Sequence, residues 1–241
     1  MNISLYISRK RLMKFLITGV VLLTVINIFH QISWYFWQQD YKLLMWHFDI
    51  GGDETVPTWF SSLLLLICTI LLLLVARAER NQPYPATRHW QGLALIFLAL
   101  SIDETAALHE WSSSLLATLE LKGIFYYSWV LFGLGFVLLC GIIYSRFYWR
   151  LPQRLKIQFF LAAALYVGGA LFVEMINARQ EYLFGAQTLT YQAMTAVEEL
   201  MEMCGILVFI NALLGHLENR LWSLTVTLGT KEILSLERVD V

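Results

Sequence analysis

Six stretches of this chain are apolar for long enough to cross a bilayer: residues 15–37, 58–76, 91–111, 124–144, 157–176 and 191–214. A crossing helix needs about 20 mostly apolar residues, because the hydrocarbon core is ~30 Å thick and each helical residue advances ~1.5 Å. Lipid offers the backbone no hydrogen-bonding partner, so such stretches are read as helices. The expected fold class is all-α: a polytopic bundle of six transmembrane helices over residues 1–214, followed by a tail over 215–241. Composition agrees. Only 15% of the residues are charged and 58% are hydrophobic, against ~25% charged in a soluble domain. The first stretch lacks a small-residue cleavage site and is followed by further spans, so it is read as a retained helix. Cys68, Cys140 and Cys204 each fall inside an apolar run. They read as small buried hydrophobes rather than a disulfide framework.

Lys and Arg set the orientation. Arg9, Lys10, Arg11 and Lys14 precede span one, and Arg77, Arg80 and Arg88 follow span two. Arg146, Arg150, Arg154 and Lys156 follow span four, and Arg220, Lys231 and Arg238 lie in the tail. Lys42, Lys122 and Arg179 alone fall in the alternate loops. The positive-inside rule then places both termini in the cytoplasm, in a multi-pass protein of an inner (plasma) membrane. Trp34, Trp59, Trp90 and Trp111 mark span ends as interfacial anchors. The net charge of −1 gives no sign of a nucleic-acid partner.

Two segments outside the spans carry a local signal. Gly51-Gly52 predicts a tight turn, and Asp53, Glu54 and Pro57 then suit the first turn of a helix. The preceding Met45–Phe48 is apolar enough to dip into the outer leaflet. In the tail, Leu224 and Val226 alternate with Ser223, Thr225 and Thr227, and Gly229-Thr230-Lys231 suits a hairpin turn.

The anomaly is what the spans contain. The apolar run Leu93–Leu100 continues without a turn signal into Ser101, Asp103, Glu104, His109 and Glu110. A charge inside a bilayer costs ~2.5–3.5 kcal/mol on insertion scales and is usually functional. With the orientation above, Asp103, Glu104, His109 and Glu110 of span three lie in its central and outer part. Glu174 of span five, Glu198, Glu199 and Glu202 of span six, and His30 of span one fall at similar depth. At 100° per residue, Asp103 and Glu110 are about 20° apart and share one face of a continuous helix, with Glu104 and His109 to either side. Stripes at helical spacing follow in span six (Gln192, Thr195, Glu199, Glu202), span five (Glu174, Asn177, Glu181) and span one (Asn27, His30, Gln31, Trp34). Glu181, beyond the predicted end of span five, reads as a solvated charge.

No Lys or Arg lies in a span at that depth. So many carboxylates in a low dielectric must be protonated, hydrated or neutralised by a cation. A divalent metal is the leading expectation. Carboxylates with histidine suit Fe, Mn or Zn better than Ca or Mg. The candidate ligands are Asp103, Glu110, His109, Glu199 and Glu202, then Glu174, Glu198, Glu104 and His30. The Glu-x-x-His pattern of soluble di-iron bundles is absent, and Ser113 stands where a zincin helix needs its second histidine.

The functional expectation is a membrane-embedded metal-dependent enzyme open to the outer leaflet. Its partners would be membrane lipids and a lipid or small-molecule substrate. The alternatives are a proton- or cation-coupled transporter or channel, and a non-catalytic subunit or assembly factor of a membrane complex.

Overall fold

The computed structural model describes residues 2–4, 8–37, 47–52, 54–80, 86–218, 223–227 and 234–237. Seven helices dominate these: α1 (Arg9–Trp37), α2 (Val56–Ala78), α3 (Thr87–Ala106), α4 (Leu108–Leu115), α5 (Val130–Arg150), α6 (Gln153–Phe184) and α7 (Leu189–Glu218). Five of them are long and apolar enough to cross a membrane. The bent pair α3–α4 makes a sixth if it counts as one span. Three short strands, β1 (Asn2–Ser4), β2 (Ser223–Thr227) and β3 (Leu234–Glu237), form an antiparallel sheet in the order β1-β2-β3. The tail thus pairs β2 with β3, as its alternation predicts, while the expected turn at 229–231 lies outside the described residues. β1 adds to β2 with Ile3 opposite Val226, which brings the two ends of the chain together.

The predicted spans shift at their ends. Span five is the most extended: α6 continues to Phe184, because no helix-stopping residue occurs before Gly185, which adopts φ 81°. Its middle, Gly168–Val173, is a π-helical turn. Span four begins only at Val130, after a 3₁₀ turn at Gly123–Phe125. Helix α2 starts as its sequence requires. Thr55 caps it by accepting from the Thr58 N–H, and Pro57 sits in the first turn. Asp53 lies outside the described residues.

Helix α7 is the hub, packing against α1, α2 and α6. Its buried face supplies Met203, Ile206, Ile210 and Leu213 to a core completed by Leu64, Leu65, Leu72 and Val75 of α2 and Trp90 of α3. Small residues bring the axes close. A Cβ added to Gly205 would sit 2.7 Å from the Tyr166 nitrogen and 2.8 Å from the Ala162 oxygen. One added to Gly169 would sit 2.8 Å from the Glu198 oxygen, so the Gly168-Gly169 pair permits close packing as expected. Helices α2 and α3 are tied by Ser62 and Ser101, each donating its hydroxyl to the other's carbonyl at 2.7 and 2.9 Å.

At one end of the bundle the core closes around Glu79, which follows α2. Its Oε2 accepts from Trp90 Nε1 at 2.7 Å, and its Oε1 pairs with His216 Nε2 at 2.8 Å, joining three helices at a buried point. Glu79→Leu removes both acceptors and strands two buried polar groups, at ~1–3 kcal/mol for each left unsatisfied. We expect a loss of about 2 kcal/mol, read from the thermal unfolding midpoint in detergent. Glu79→Gln, which can accept from Trp90 and donate to His216, should lose less than half of that. Equal loss in the two variants would refute the hydrogen-bonded account.

Candidate functional site

The stretch Ser101–Glu110 is not one helix. Ala107 adopts φ 47°, ψ 41°, and α4 leaves α3 at 81°. A left-handed non-glycine residue costs ~1–2 kcal/mol. The break persists because Asp103 replaces the hydrogen bonds that it removes. Its Oδ1 accepts from the His109 backbone N–H at 2.8 Å, and its Oδ2 pairs with His109 Nδ1 at 3.1 Å. Asp103 therefore caps α4, and its partner is His109. The shared face expected for Asp103 and Glu110 required a continuous helix and does not hold.

The sign of one substitution tests this bend. Ala107→Gly should raise stability by about 0.5–1 kcal/mol, since glycine adopts φ > 0 without strain. In a continuous helix the same change would lower it by about 1 kcal/mol. A fall in the unfolding midpoint would rule the bend out.

Beyond the bend lies a cavity of about 1100 Å³ bounded by α3, α4, α5, α6 and α7. Eight of the nine sequence-predicted residues line it: Asp103, Glu104, His109, Glu110, Glu174, Glu198, Glu199 and Glu202. His30 does not. It is buried in α1, which packs on another side of α7. Asn211, which accepts from Arg9 of α1, and Glu202, which lines the cavity, are about 180° apart on that helix. The polar stripe of α1 serves other contacts. Gln31 donates to Gln192 at 3.0 Å, and Asn27 accepts from the Ile50 N–H, fixing the turn at Gly51-Gly52.

The cavity also holds residues that the sequence reading missed. Glu181 lines it instead of facing solvent, because α6 extends past the predicted span end. It accepts from the Tyr127 hydroxyl, which is also 2.9 Å from the Tyr191 hydroxyl. Burial first, then the bond to Glu181, raises the Tyr127 phenol above its ordinary range, so it remains a donor. Trp129 donates Nε1 to Glu174 Oε1 at 3.3 Å, and its ring lies 4.9 Å from that of His109. The Glu174, Asn177, Glu181 spacing was the available signal for Glu181. None existed for Tyr127, which reaches the site from outside the helices.

Glu174 and Glu198 both line the cavity and face each other across α6 and α7. Asn177 donates Nδ2 to Thr195 Oγ1 at 2.7 Å. Glu198 Oε2 and Asn177 Oδ1, both buried, have no hydrogen-bond partner among the described residues. No Lys or Arg is among the described residues that line the cavity. Nor do the described residues include three or more His, Cys, Asp or Glu placed to hold a metal ion. The divalent-metal expectation therefore gains no support from the geometry.

The acidic groups occupy one end. From there the lining continues along α5, from Gly133 through Phe136, Val137 and Cys140 to Trp149, faced by Phe97, Phe159 and Phe160. The distance from Trp129 to Trp149 is about 30 Å of helix, the thickness of a hydrocarbon core.

The long apolar helices and this internal cavity define a helical protein compatible with a membrane. Over residues 15–217 the chain matches the family described as Domain of unknown function (DUF8692), and it belongs to that family. No curated protein and no solved structure matches it.

Proposed function

We propose that the protein is a six-span membrane protein that takes an amphipathic molecule from the bilayer into its cavity. The polar end of the ligand lies among the carboxylates and its chain lies along α5. The carrying observation is the two-part lining, eight carboxylates and a histidine at one end and an apolar wall along α5 from there. A path from the bilayer is consistent with α5, which has few contacts with the rest of the bundle. Both termini are assigned to the cytoplasm and the acidic end to the outer leaflet. The positive-inside pattern supports this, as does the pairing of β1 with β2, since six crossings return the chain to its starting side. A conduction path has less support, because beyond the acidic end the lining along α5 is largely apolar, whereas a conduction path needs polar lining throughout.

A catalytic role is the second reading, favoured by the Asp103–His109 pair. The carboxylate holds Nδ1, and Nε2 makes no hydrogen bond to the described residues, the arrangement of a general base. His109→Gln would then abolish turnover while leaving ligand binding intact.

Gly141 provides the test of binding. It lines the cavity, and a Cβ added there meets nothing within 4 Å. Gly141→Trp should fill the chain-binding part without disturbing the fold. Native mass spectrometry of detergent-released protein is expected to show one amphiphile per chain, and at least a tenfold lower occupancy in the variant. No saturable occupancy in the wild type, or equal occupancy in both, would sink the reading.

A further inference from the structure

An amphiphile held in this cavity must satisfy what the acidic end presents. Eight carboxylates face it, and among the described lining residues no Lys or Arg offsets them. A phosphate would bring only acceptors and negative charge to an end already crowded with carboxyl oxygens, so it is disfavoured even in a zwitterion.

Two acceptors define the complement further. Glu198 Oε2 and Asn177 Oδ1 have no hydrogen-bond partner among the described residues, and their residues are only 8% and 1% exposed. Both line the cavity. Buried acceptors are almost always paired, and each left bare is costly. The missing partner is therefore a donor that enters with the ligand. A primary ammonium carries three N–H donors, no acceptor and a positive charge. A hydroxyl brings one donor and no charge, and a quaternary ammonium brings charge and no N–H donor. The rings of Tyr127, Trp129 and Tyr191 line the same end and add a face that attracts cations.

We infer that the ligand is a net-cationic amphiphile with a primary ammonium head and no phosphate, bound by Glu198 and Asn177 with its single chain along α5. This rests on the amphiphile-binding reading of the cavity and specifies its headgroup. The carboxylates serve as the cation site expected from sequence, with an organic cation in the place of a metal.

Four probes with the same chain separate the two claims: hexadecylamine, hexadecyltrimethylammonium, hexadecanol and hexadecylphosphocholine. Offered in equimolar competition to the full chain in detergent, they are distinguished by mass in native mass spectrometry. The amine is expected to exceed each of the others at least tenfold. Glu198→Gln should reduce its preference over the alcohol at least fivefold, and an unfolding midpoint equal to that of the wild type shows that the variant is folded; an unchanged preference would overturn the role of Glu198. Equal binding of the alcohol or the phosphocholine would overturn the ammonium assignment and leave the cavity reading standing. Equal binding of the trimethylammonium probe would overturn the requirement for N–H donors. If no probe binds saturably, both readings fall.

Discussion

The double variant Glu174→Gln, Glu198→Gln is expected to bind hexadecylamine at least ~100-fold more weakly than the wild type. A hydrogen bond to a charged group contributes about 1.5–3 kcal/mol, so weakening the Glu198 contact and removing the acidic neighbour Glu174 together remove roughly 3 kcal/mol, and each 1.4 kcal/mol is tenfold in affinity. The substitution conserves shape. Folding should therefore survive, and titration by native mass spectrometry reads the affinity directly. Unchanged affinity would mean that these two carboxyls do not meet the headgroup.

Gly205→Leu should cost more than about 3 kcal/mol, the upper range for overpacking a close contact. The obstruction at Gly205 is backbone: the Tyr166 nitrogen and Ala162 oxygen lie 2.7 and 2.8 Å from an added Cβ. Backbone cannot rotate aside as a side chain can, so α6 and α7 must separate. That separation moves Glu174 and Asn177 away from Glu198 and Thr195, so binding is lost with stability. Gly135 and Gly141 of α5 meet nothing within 4 Å of an added Cβ. Leucine at either should leave the unfolding midpoint within ~0.5 kcal/mol of the wild type, as at surface positions. A normal midpoint for Gly205→Leu in detergent would show that the two helices do not cross at this point.

The long apolar helices are legible in the sequence because a helix able to cross lipid must be long and apolar, and a composition rule of that strength can be read from one chain. Most of the acidic lining of the cavity is legible too, because carboxylates in such helices are conspicuous. What the sequence hid was local geometry. Nothing in Ala106-Ala107-Leu108 marks a bend, as neither glycine nor proline is present. The break depends on Asp103 reaching across it to the His109 N–H, an interaction that spacing alone does not distinguish from a helical face. His30 shows the reverse error. An expected depth says nothing about which side of α7 its helix packs on, and His30 is not among the residues that line the cavity. Glu181 was assigned to solvent because hydropathy falls after residue 176, although the helix continues to Phe184. Tyr127 and Tyr191 could not be told from interfacial anchors, a role in which tyrosine is common.

The π-helical turn at Gly168–Val173 has an evolutionary corollary. Such turns amount to one residue inserted into an α-helix, and they occur often at functional sites. An α6 without that residue would be equally long and apolar. Everything beyond the turn would be rotated by about 100°, carrying Glu174, Asn177 and Glu181 off the cavity wall together. The gain or loss of a single codon near Gly168 could thus separate a lineage that has this acidic end from one that has only the bundle.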